Sequence, residues 1–170
     1  MPRRSLCEGS FASEQLASNY LGIRQTDMIC DETSLACILG KGEKVPDFIF
    51  RRRRHRCKTT VVQTLEVKRV LNKLCKGRVR DAMNKISDKI IRLFEPHTHH
   101  IVFVVRANAN DVMQAAESML RKDGHIRLAD TPHAFVHHPH GVRVRLHVVQ
   151  GSHDMFADIQ EQLRHRHKSV

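Results

Sequence analysis

Apolar residues recur at two different spacings along the chain, and each spacing predicts a different kind of element. From Arg78 to Phe94 the apolar side chains repeat every three or four residues, which predicts one amphipathic helix with a basic outer face. Asp111 to Lys122 repeats in the same way and stops before Gly124. Weaker helical spacing over Ser10 to Ile23 and Asp154 to His165 predicts an N-terminal helix and a closing helix.

Short apolar and β-branched runs predict the strands. Ser34 to Leu39 and Val45 to Phe50 are joined by a glycine-containing turn and predict a hairpin, and Thr59 to Val70 predicts the next strand. Ile101 to Val105 is apolar throughout, as in a strand covered on both faces. Three more runs predict later strands: Ile126 to Ala129, Ala134 to His137 and Val142 to Val149. Strands alternating with helices predict an α/β fold, a central mixed sheet flanked by helices.

Length and charge narrow the class of protein. The 170 residues suit one domain, with a core over about 10–150 and a basic, histidine-rich C-terminal helix or tail at 154–170. The net charge of +11 favours a polyanionic partner, nucleic acid before an anionic membrane surface. No run approaches the roughly 18 apolar residues of a membrane span, and no secretory signal is evident. We therefore expect a soluble intracellular protein, nuclear if the source is eukaryotic.

Two acidic residues stand inside predicted strands, where acids are disfavoured. Asp47 lies in the run from Val45 to Phe50, and Glu66 lies in the following strand. Because side chains alternate along a strand, Glu66 and Lys68 project from the same face. If the two strands pair, we expect the carboxylates of Asp47 and Glu66 to converge within about 4 to 6 Å, as one shared Mg²⁺ or Mn²⁺ demands, with the Lys68 amine beside them.

These residues give the chain a family resemblance. Val45-Pro46-Asp47-Phe48-Ile49 and Leu65-Glu66-Val67-Lys68 resemble the motif of the PD-(D/E)xK nuclease superfamily, which has the restriction-endonuclease-like fold. Roughly residues 10–106 also follow that family's order of elements: a helix, a hairpin bearing the aspartate, a strand bearing E-x-K, then a helix and a strand. The resemblance implies a metal-dependent endonuclease with Asp47, Glu66 and Lys68 as its catalytic core.

The resemblance also implies further site residues. The backbone carbonyl of Val67 is expected to join the metal ligands, and Glu14 on the first helix matches the position of an additional acidic ligand. The helix after the motif commonly contributes a basic residue to the substrate, and Arg78 or Lys85 fits that role. Asp47 and Glu66 would hold the metal, while Lys68 would orient the attacking water and offset charge in the transition state.

A run of arginines follows the first motif. Arg51, Arg52, Arg53 and Arg54 fall between the two motif strands, so the hairpin tip is expected to carry dense positive charge near the active site and to clamp phosphate. A solubilising loop and a nuclear import signal remain open for the same run. Arg143, Arg145 and His147 form a basic strand face, a second candidate contact or an ordinary solvated surface.

Histidines and cysteines suggest little specific chemistry. The clusters His97–His100 and His137–His140 lack a zinc-ligand framework, and we expect solvated loop histidines there rather than a zinc site. The five cysteines form no C-x-x-C pair, which predicts reduced thiols.

The functional expectation is a Mg²⁺- or Mn²⁺-dependent endonuclease, acting on DNA more readily than on RNA. A homodimer is compatible with a single site that cuts one strand at a time. Three alternatives stay open: an RNA endonuclease, an inactive nucleic-acid-binding module of the same fold, and a histidine-rich zinc-binding interaction protein. Convergence of the carboxylates would favour the Mg²⁺- or Mn²⁺-dependent endonuclease over the zinc-binding interaction protein.

Overall fold

A computed structural model describes residues 3–40, 42–54, 59–106 and 108–168, with side chains described between 10 and 165 of these ranges. The helices are α1 (Arg3–Leu21), α2 (Glu32–Leu39), α3 (Lys76–Asn84), α4 (Asp88–Phe94), α5 (Ala109–Lys122) and α6 (Ala157–Lys168), with short 3-10 helices at Gln25–Asp27 and His153–Phe156. The strands are β1 (Met28–Asp31), β2 (Phe48–Arg53), β3 (Thr60–Val70), β4 (Thr98–Val105), β5 (Ile126–Arg127), β6 (Ala134–Val136) and β7 (Arg143–Gln150).

Within the described ranges the strands form one seven-stranded sheet in the order β1-β2-β3-β4-β7-β6-β5. β1, β2 and β3 pair antiparallel, β3, β4 and β7 pair parallel, and β7, β6 and β5 return to antiparallel pairing. The parallel pair β3–β4 needs a crossover, and α3 and α4 supply it. The mixed sheet flanked by helices, which the alternating pattern predicts, is confirmed.

Helices cover both faces of the sheet. On one face Ile101 and Phe103 of β4 pack with residues of α3 and α5, and on the other Val102 and Val104 pack with Ala17 of α1 and Phe156. All eight residues of β4 are buried, as the uninterrupted apolar run predicts. Each face of this central strand thus supports a separate layer of helix.

The predicted strand Ser34 to Leu39 is wrong, because these residues belong to α2. The Asp31 side chain accepts a hydrogen bond from the Ser34 N–H at 2.8 Å and so caps the helix. Gly40, with φ of 95°, ends it. The first antiparallel partner of β2 is instead β1, where Asp31 pairs with Phe48.

The predicted single helix from Arg78 to Phe94 is two helices. α3 ends at Asn84, and the Ser87 side chain accepts a hydrogen bond from the Ile90 N–H at 3.3 Å to start α4. The apolar spacing runs through the break because Ile86 is buried in the same core as α3. An internal serine cap therefore outweighs a continuous helical pattern.

The expectation of solvated loop histidines at 97–100 is wrong for His99 and His100, which lie in β4 and are buried. His99 bonds Thr64 Oγ1 at 2.6 Å and the Ala82 carbonyl at 2.9 Å, while His100 bonds Gln63 at 2.9 Å and His147 at 2.9 Å. Because each ring nitrogen has a partner, the polar rings are accommodated inside the sheet.

The C-terminal segment packs against the sheet. Phe156 is fully buried, and Asp158 at the start of α6 accepts a hydrogen bond from Arg69 of β3 at 2.6 Å. Among the described residues no helix has the length and apolar character that crossing a membrane would require.

Candidate metal centre

Glu66 and Lys68 lie two residues apart on β3 and face α3. The Lys68 Nζ is 3.8 Å from Glu66 Oε2 and 2.5 Å from Asp81 Oδ2. Lys85, which follows α3, brings its Nζ to 3.6 Å from the same Glu66 oxygen. Strand periodicity therefore places the predicted pair on one face, and α3 adds one acid and one base to it.

Asp47 lies immediately before β2, beside Glu66. Phe48 of β2 pairs with Leu65 of β3 in the antiparallel register. Asp47, which precedes Phe48, therefore lies opposite Glu66, which follows Leu65. Asp47 Oδ2 accepts a hydrogen bond from the Val67 N–H at 2.7 Å, which fixes its carboxylate at the strand edge. The Asp47 side chain also lies near enough to the Glu66 carboxyl group to raise its pKa.

Two more carboxylates meet Asp47 from the helices. Glu14 comes from α1 and Glu32 from the first turn of α2, and one oxygen of each lies within 4.8 Å of the others and of an Asp47 oxygen. Glu14, which the family resemblance alone indicates, is thus brought to Asp47. The four acids come from α1, α2, β3 and the entrance to β2, so the centre depends on the tertiary fold.

The crowding of acids changes their proton affinity. Burial, with Asp47 and Glu32 nearby, raises the pKa of Glu14 to about 7. Partial loss of hydration and the nearby Asp47 also raise the pKa of Glu32. Burial, followed by the hydrogen bond and charge of Asp47, raises the pKa of Glu66 far more, even though two lysines oppose the shift. Loss of hydration is the largest cause of all three shifts, and the nearby Asp47 adds to each of them.

One oxygen of this group has no hydrogen-bond partner. Glu66 Oε2 is buried and receives no hydrogen bond from the described residues, although the Lys68 and Lys85 ammonium groups stand 3.6 to 3.8 Å away. A buried acceptor without a hydrogen-bond partner is rare, and it indicates a bound ion or water or a functional role. It is a second observation, independent of the carboxylate trio, that points into the centre.

The donor set fits a hard divalent cation. Carboxylate oxygens are the ligands that Mg²⁺ and Mn²⁺ prefer, and oxygens around one Mg²⁺ lie at most about 4.2 Å apart. The observed 4.8 Å envelope therefore needs only a small side-chain movement to close on one ion. The trio contains neither histidine nor cysteine, which zinc prefers.

The predicted position of the arginine run is wrong in one respect. β2 extends through Arg53, so Arg51, Arg52 and Arg53 lie within the strand and the run begins about 13 Å and ends about 23 Å along the chain from Asp47. Arg51, Arg53 and Arg54 are exposed, whereas Arg52 is half-buried and donates to the Leu21 carbonyl. The phosphate clamp stays a prediction for these residues, at a position farther along a bound ligand than the hairpin tip next to Asp47 implied.

Lys85 and Arg78 are the other basic candidates for the site. Lys85 is at the centre through its ion pair with Glu66. Arg78 is exposed on α3 and lies within electrostatic reach of Asp81 and Glu66. Both residues thus interact electrostatically with Glu66.

Glu32 and Asp81 belong to the centre and were missed by sequence reasoning. Glu32 follows the capping residue Asp31, a helix-start pattern that the strand interpretation of the next residues obscured. Asp81 is the single acid in the basic helix α3, where it also pairs with Lys44 at 3.6 Å. An isolated acid on a basic helix is the available indication.

The second histidine cluster does not form a metal site among the described residues. His137 is buried and its ring lies 4.9 Å from that of His125 and 5.1 Å from that of His140. No three ligand atoms converge around these rings in the part of the chain that the structure describes. The zinc-binding alternative therefore gains no support from the geometry.

Comparisons with protein-family models, with curated proteins and with solved structures find no match to this chain.

Proposed function

We propose that the protein is a metal-dependent endonuclease that hydrolyses phosphodiester bonds, in DNA more readily than in RNA. The observation that carries the proposal is the convergence of Glu14, Glu32 and Asp47 oxygens within 4.8 Å, next to a buried Glu66 and two lysines. Clustered carboxylates beside an ammonium group supply the two requirements of phosphodiester hydrolysis, a cation site and stabilisation of developing negative charge.

Each side chain has a distinct task in this proposal. Glu14, Glu32 and Asp47, whose oxygens converge, would hold Mg²⁺ or Mn²⁺, and Glu66 and the Val67 carbonyl would be the further ligands that the family resemblance implies. The bound cation would polarise the scissile phosphate and lower the pKa of a bound water. Lys68, held between Glu66 and Asp81, would orient the attacking water and neutralise charge on the phosphorus-bound oxygens.

The fold order supports the same proposal. Helix α1, the antiparallel strands β1, β2 and β3, the α3–α4 crossover and the parallel strand β4 follow the order that the resembled nuclease superfamily has. Asp47 stands before β2 and the E-x-K residues on β3, the positions that the resemblance assigns them. The restriction-endonuclease-like fold is therefore part of the proposal.

The distribution of positive charge favours a nucleic acid as the substrate. The chain carries +11, and the exposed Arg51, Arg53 and Arg54 lie four to seven residues beyond Asp47, about 13 to 23 Å along the strand. Phosphates along one DNA strand are spaced about 3.4 Å apart, so these arginines would meet the backbone about four to seven nucleotides from the cut. That spacing favours a long nucleic acid over a small phosphate ester. Homodimer formation and a nuclear location remain predictions.

The non-catalytic alternative has one observation in its favour. Lys68 is in a close ion pair with Asp81, which reduces the positive charge available to a phosphate. In a protein that only binds nucleic acid, the carboxylates would have no role in hydrolysis. Neither wild type nor an Asp47 variant would then cut, and the variant would bind nucleic acid as tightly as wild type.

The test is a cleavage assay with matched variants. Wild type, Asp47→Asn, Lys68→Ala and the control Asp111→Asn, an exposed acid on α5, are incubated with supercoiled plasmid, single-stranded DNA and RNA in Mg²⁺, Mn²⁺ or EDTA. We expect cutting in either metal, none in EDTA, and losses of about 100-fold or more for the first two variants. Absence of cutting by wild type, or equal cutting by all four proteins, would refute the proposal. Retained binding without cutting would favour the alternative.

A further inference from the structure

A pocket opens beside the carboxylate centre, between α1, the residues that lead into α2, and the start of β2. Its volume is about 610 Å³, and its walls include Phe11, Gln15, Asn19, Met28 and Phe48. A single nucleotide unit is smaller than this space, and a drug-sized ligand fills a pocket of similar volume. The pocket is therefore large enough for one base and its sugar.

Each acid of the trio has a chain neighbour in the pocket wall. Gln15 follows Glu14, Asp31 precedes Glu32, and Phe48 follows Asp47. Three separate elements thus contribute one residue to the centre and the adjoining residue to the pocket. Because side chains alternate along a strand, Phe48 and Asp47 project to opposite faces, so the most direct link between the pocket and the centre is α1, where Gln15 follows Glu14.

The chemistry of the walls suits a base rather than a phosphate. Phe11 is 67% exposed and offers a free aromatic face, while Met28 and Phe48 add apolar surface. The amides of Gln15 and Asn19, 3.4 Å apart on one face of α1, supply donors and acceptors for a polar edge. The one basic side chain in the wall, Arg24, is paired with Asp27 at 3.3 Å, and Asp31 adds negative charge. An anion would find little compensation there.

We propose that this pocket takes one unpaired nucleobase next to the phosphate that the carboxylate centre cleaves, with Phe11 stacking on the base. The inference rests on the proposed nuclease function and narrows its substrate class. A base in intact duplex must first leave its stack, which costs free energy comparable to what stacking on one aromatic ring returns. An unpaired base enters without that cost. The preferred substrate is therefore DNA with a bulge, flap or single-stranded arm at the cleavage position.

Binding can be separated from cutting in the experiment. The affinities of wild type, Phe11→Ala, Gln15→Ala and the control Leu93→Ala are measured by fluorescence anisotropy in EDTA. The ligands are a fully paired DNA duplex and the same duplex with one unpaired nucleotide. Leu93 is 58% exposed on α4 and outside the pocket wall, so its loss matches that of Phe11 in kind.

We expect wild type and Leu93→Ala to bind the bulged duplex about 10- to 100-fold more tightly, and Phe11→Ala to lose most of that preference. Gln15→Ala, which leaves the aromatic face intact, is expected to weaken the preference by a smaller factor. Replacing the unpaired nucleotide with an abasic one should abolish the wild-type preference.

The outcomes distinguish the two proposals. Equal wild-type affinity for the two duplexes, or a preference that Phe11→Ala retains, would assign the pocket to another occupant and overturn this inference while leaving the nuclease proposal intact. A preference that depends on Phe11 in a protein that cuts no DNA in Mg²⁺ or Mn²⁺ would support the base pocket and refute the nuclease. Circular dichroism of each variant verifies that its fold is unchanged.

Discussion

Replacement of Glu14 by glutamine is predicted to stabilise the metal-free protein at pH 8. Burial and the nearby Asp47 and Glu32 raise the pKa of Glu14 from 4.5 to about 7. The folded state therefore holds this proton more tightly than the unfolded state, and stability falls as the pH rises from 4.5 to about 7. At pH 8 the wild type retains the full repulsion, whereas the isosteric glutamine carries no charge.

The size of the effect follows from that pKa. The full linkage between pH 4.5 and 7 is about 3 kcal/mol, and solvent screening at this partly exposed group reduces it to about 1 to 2 kcal/mol. In a chain of this length such a gain raises Tm by about 2 to 8 °C. Natural sites that keep such repulsion sacrifice stability to retain a charged group for function.

The assay is thermal and urea unfolding of wild type and Glu14→Gln at pH 5 and pH 8 in EDTA, with Glu161→Gln as control. Glu161 is exposed on α6, so the same change there is expected to leave Tm unaltered. The stabilisation of Glu14→Gln should be present at pH 8 and nearly absent at pH 5, where most Glu14 is protonated. A variant no more stable than wild type at pH 8, or equally stabilised at both values, would refute the reasoning.

Three further outcomes follow from the structure. Mg²⁺ or Mn²⁺ is expected to raise Tm more at pH 8 than at pH 6, because binding must displace the proton that Glu14 holds below pH 7; equal shifts in differential scanning fluorimetry would contradict this. Asp158→Ala, which removes the carboxylate partner of the half-buried Arg69, should cost about 3 kcal/mol in urea unfolding, and a cost below about 1 kcal/mol would place that pair in solvent. His99→Gln should be most destabilising near pH 8. Burial lowers the pKa of His99 to about 4. Below pH 6.5 the unfolded wild type therefore binds a proton that the folded state does not bind. The difference in unfolding free energy between wild type and variant should shrink by up to about 3 kcal/mol by pH 4. A difference independent of pH would show that the pKa of His99 is the same in the folded and unfolded states.

Local periodicity predicted the part of the centre that local geometry controls. Glu66 and Lys68 share a face because residues two apart on a strand do so in any sheet. The approach of Asp47 to Glu66 followed once β2 paired with β3, and the β-branched residues of β3 were enough to predict that strand.

The remainder depended on tertiary contacts. Glu32 joins the centre because Asp31 caps α2, and a short apolar run does not reveal whether it is strand or helix. The arginine run was placed near the site because the hairpin was expected to turn at Arg51, whereas β2 continues through Arg53. His99 and His100 were assigned to a loop on polarity, yet neighbouring side chains satisfy both rings inside the sheet.

The most direct test of the account is the binding of Mn²⁺ itself. Electron paramagnetic resonance of free Mn²⁺ is followed during titration of wild type, Asp47→Asn and the control Asp111→Asn at pH 8. We expect wild type and the control to bind one Mn²⁺ each and Asp47→Asn to bind at least about 10-fold more weakly, since Asp47 is the acid that all three other carboxylates approach. If wild type binds no Mn²⁺, or Asp47→Asn binds it as tightly as wild type, the carboxylate centre is not a metal site.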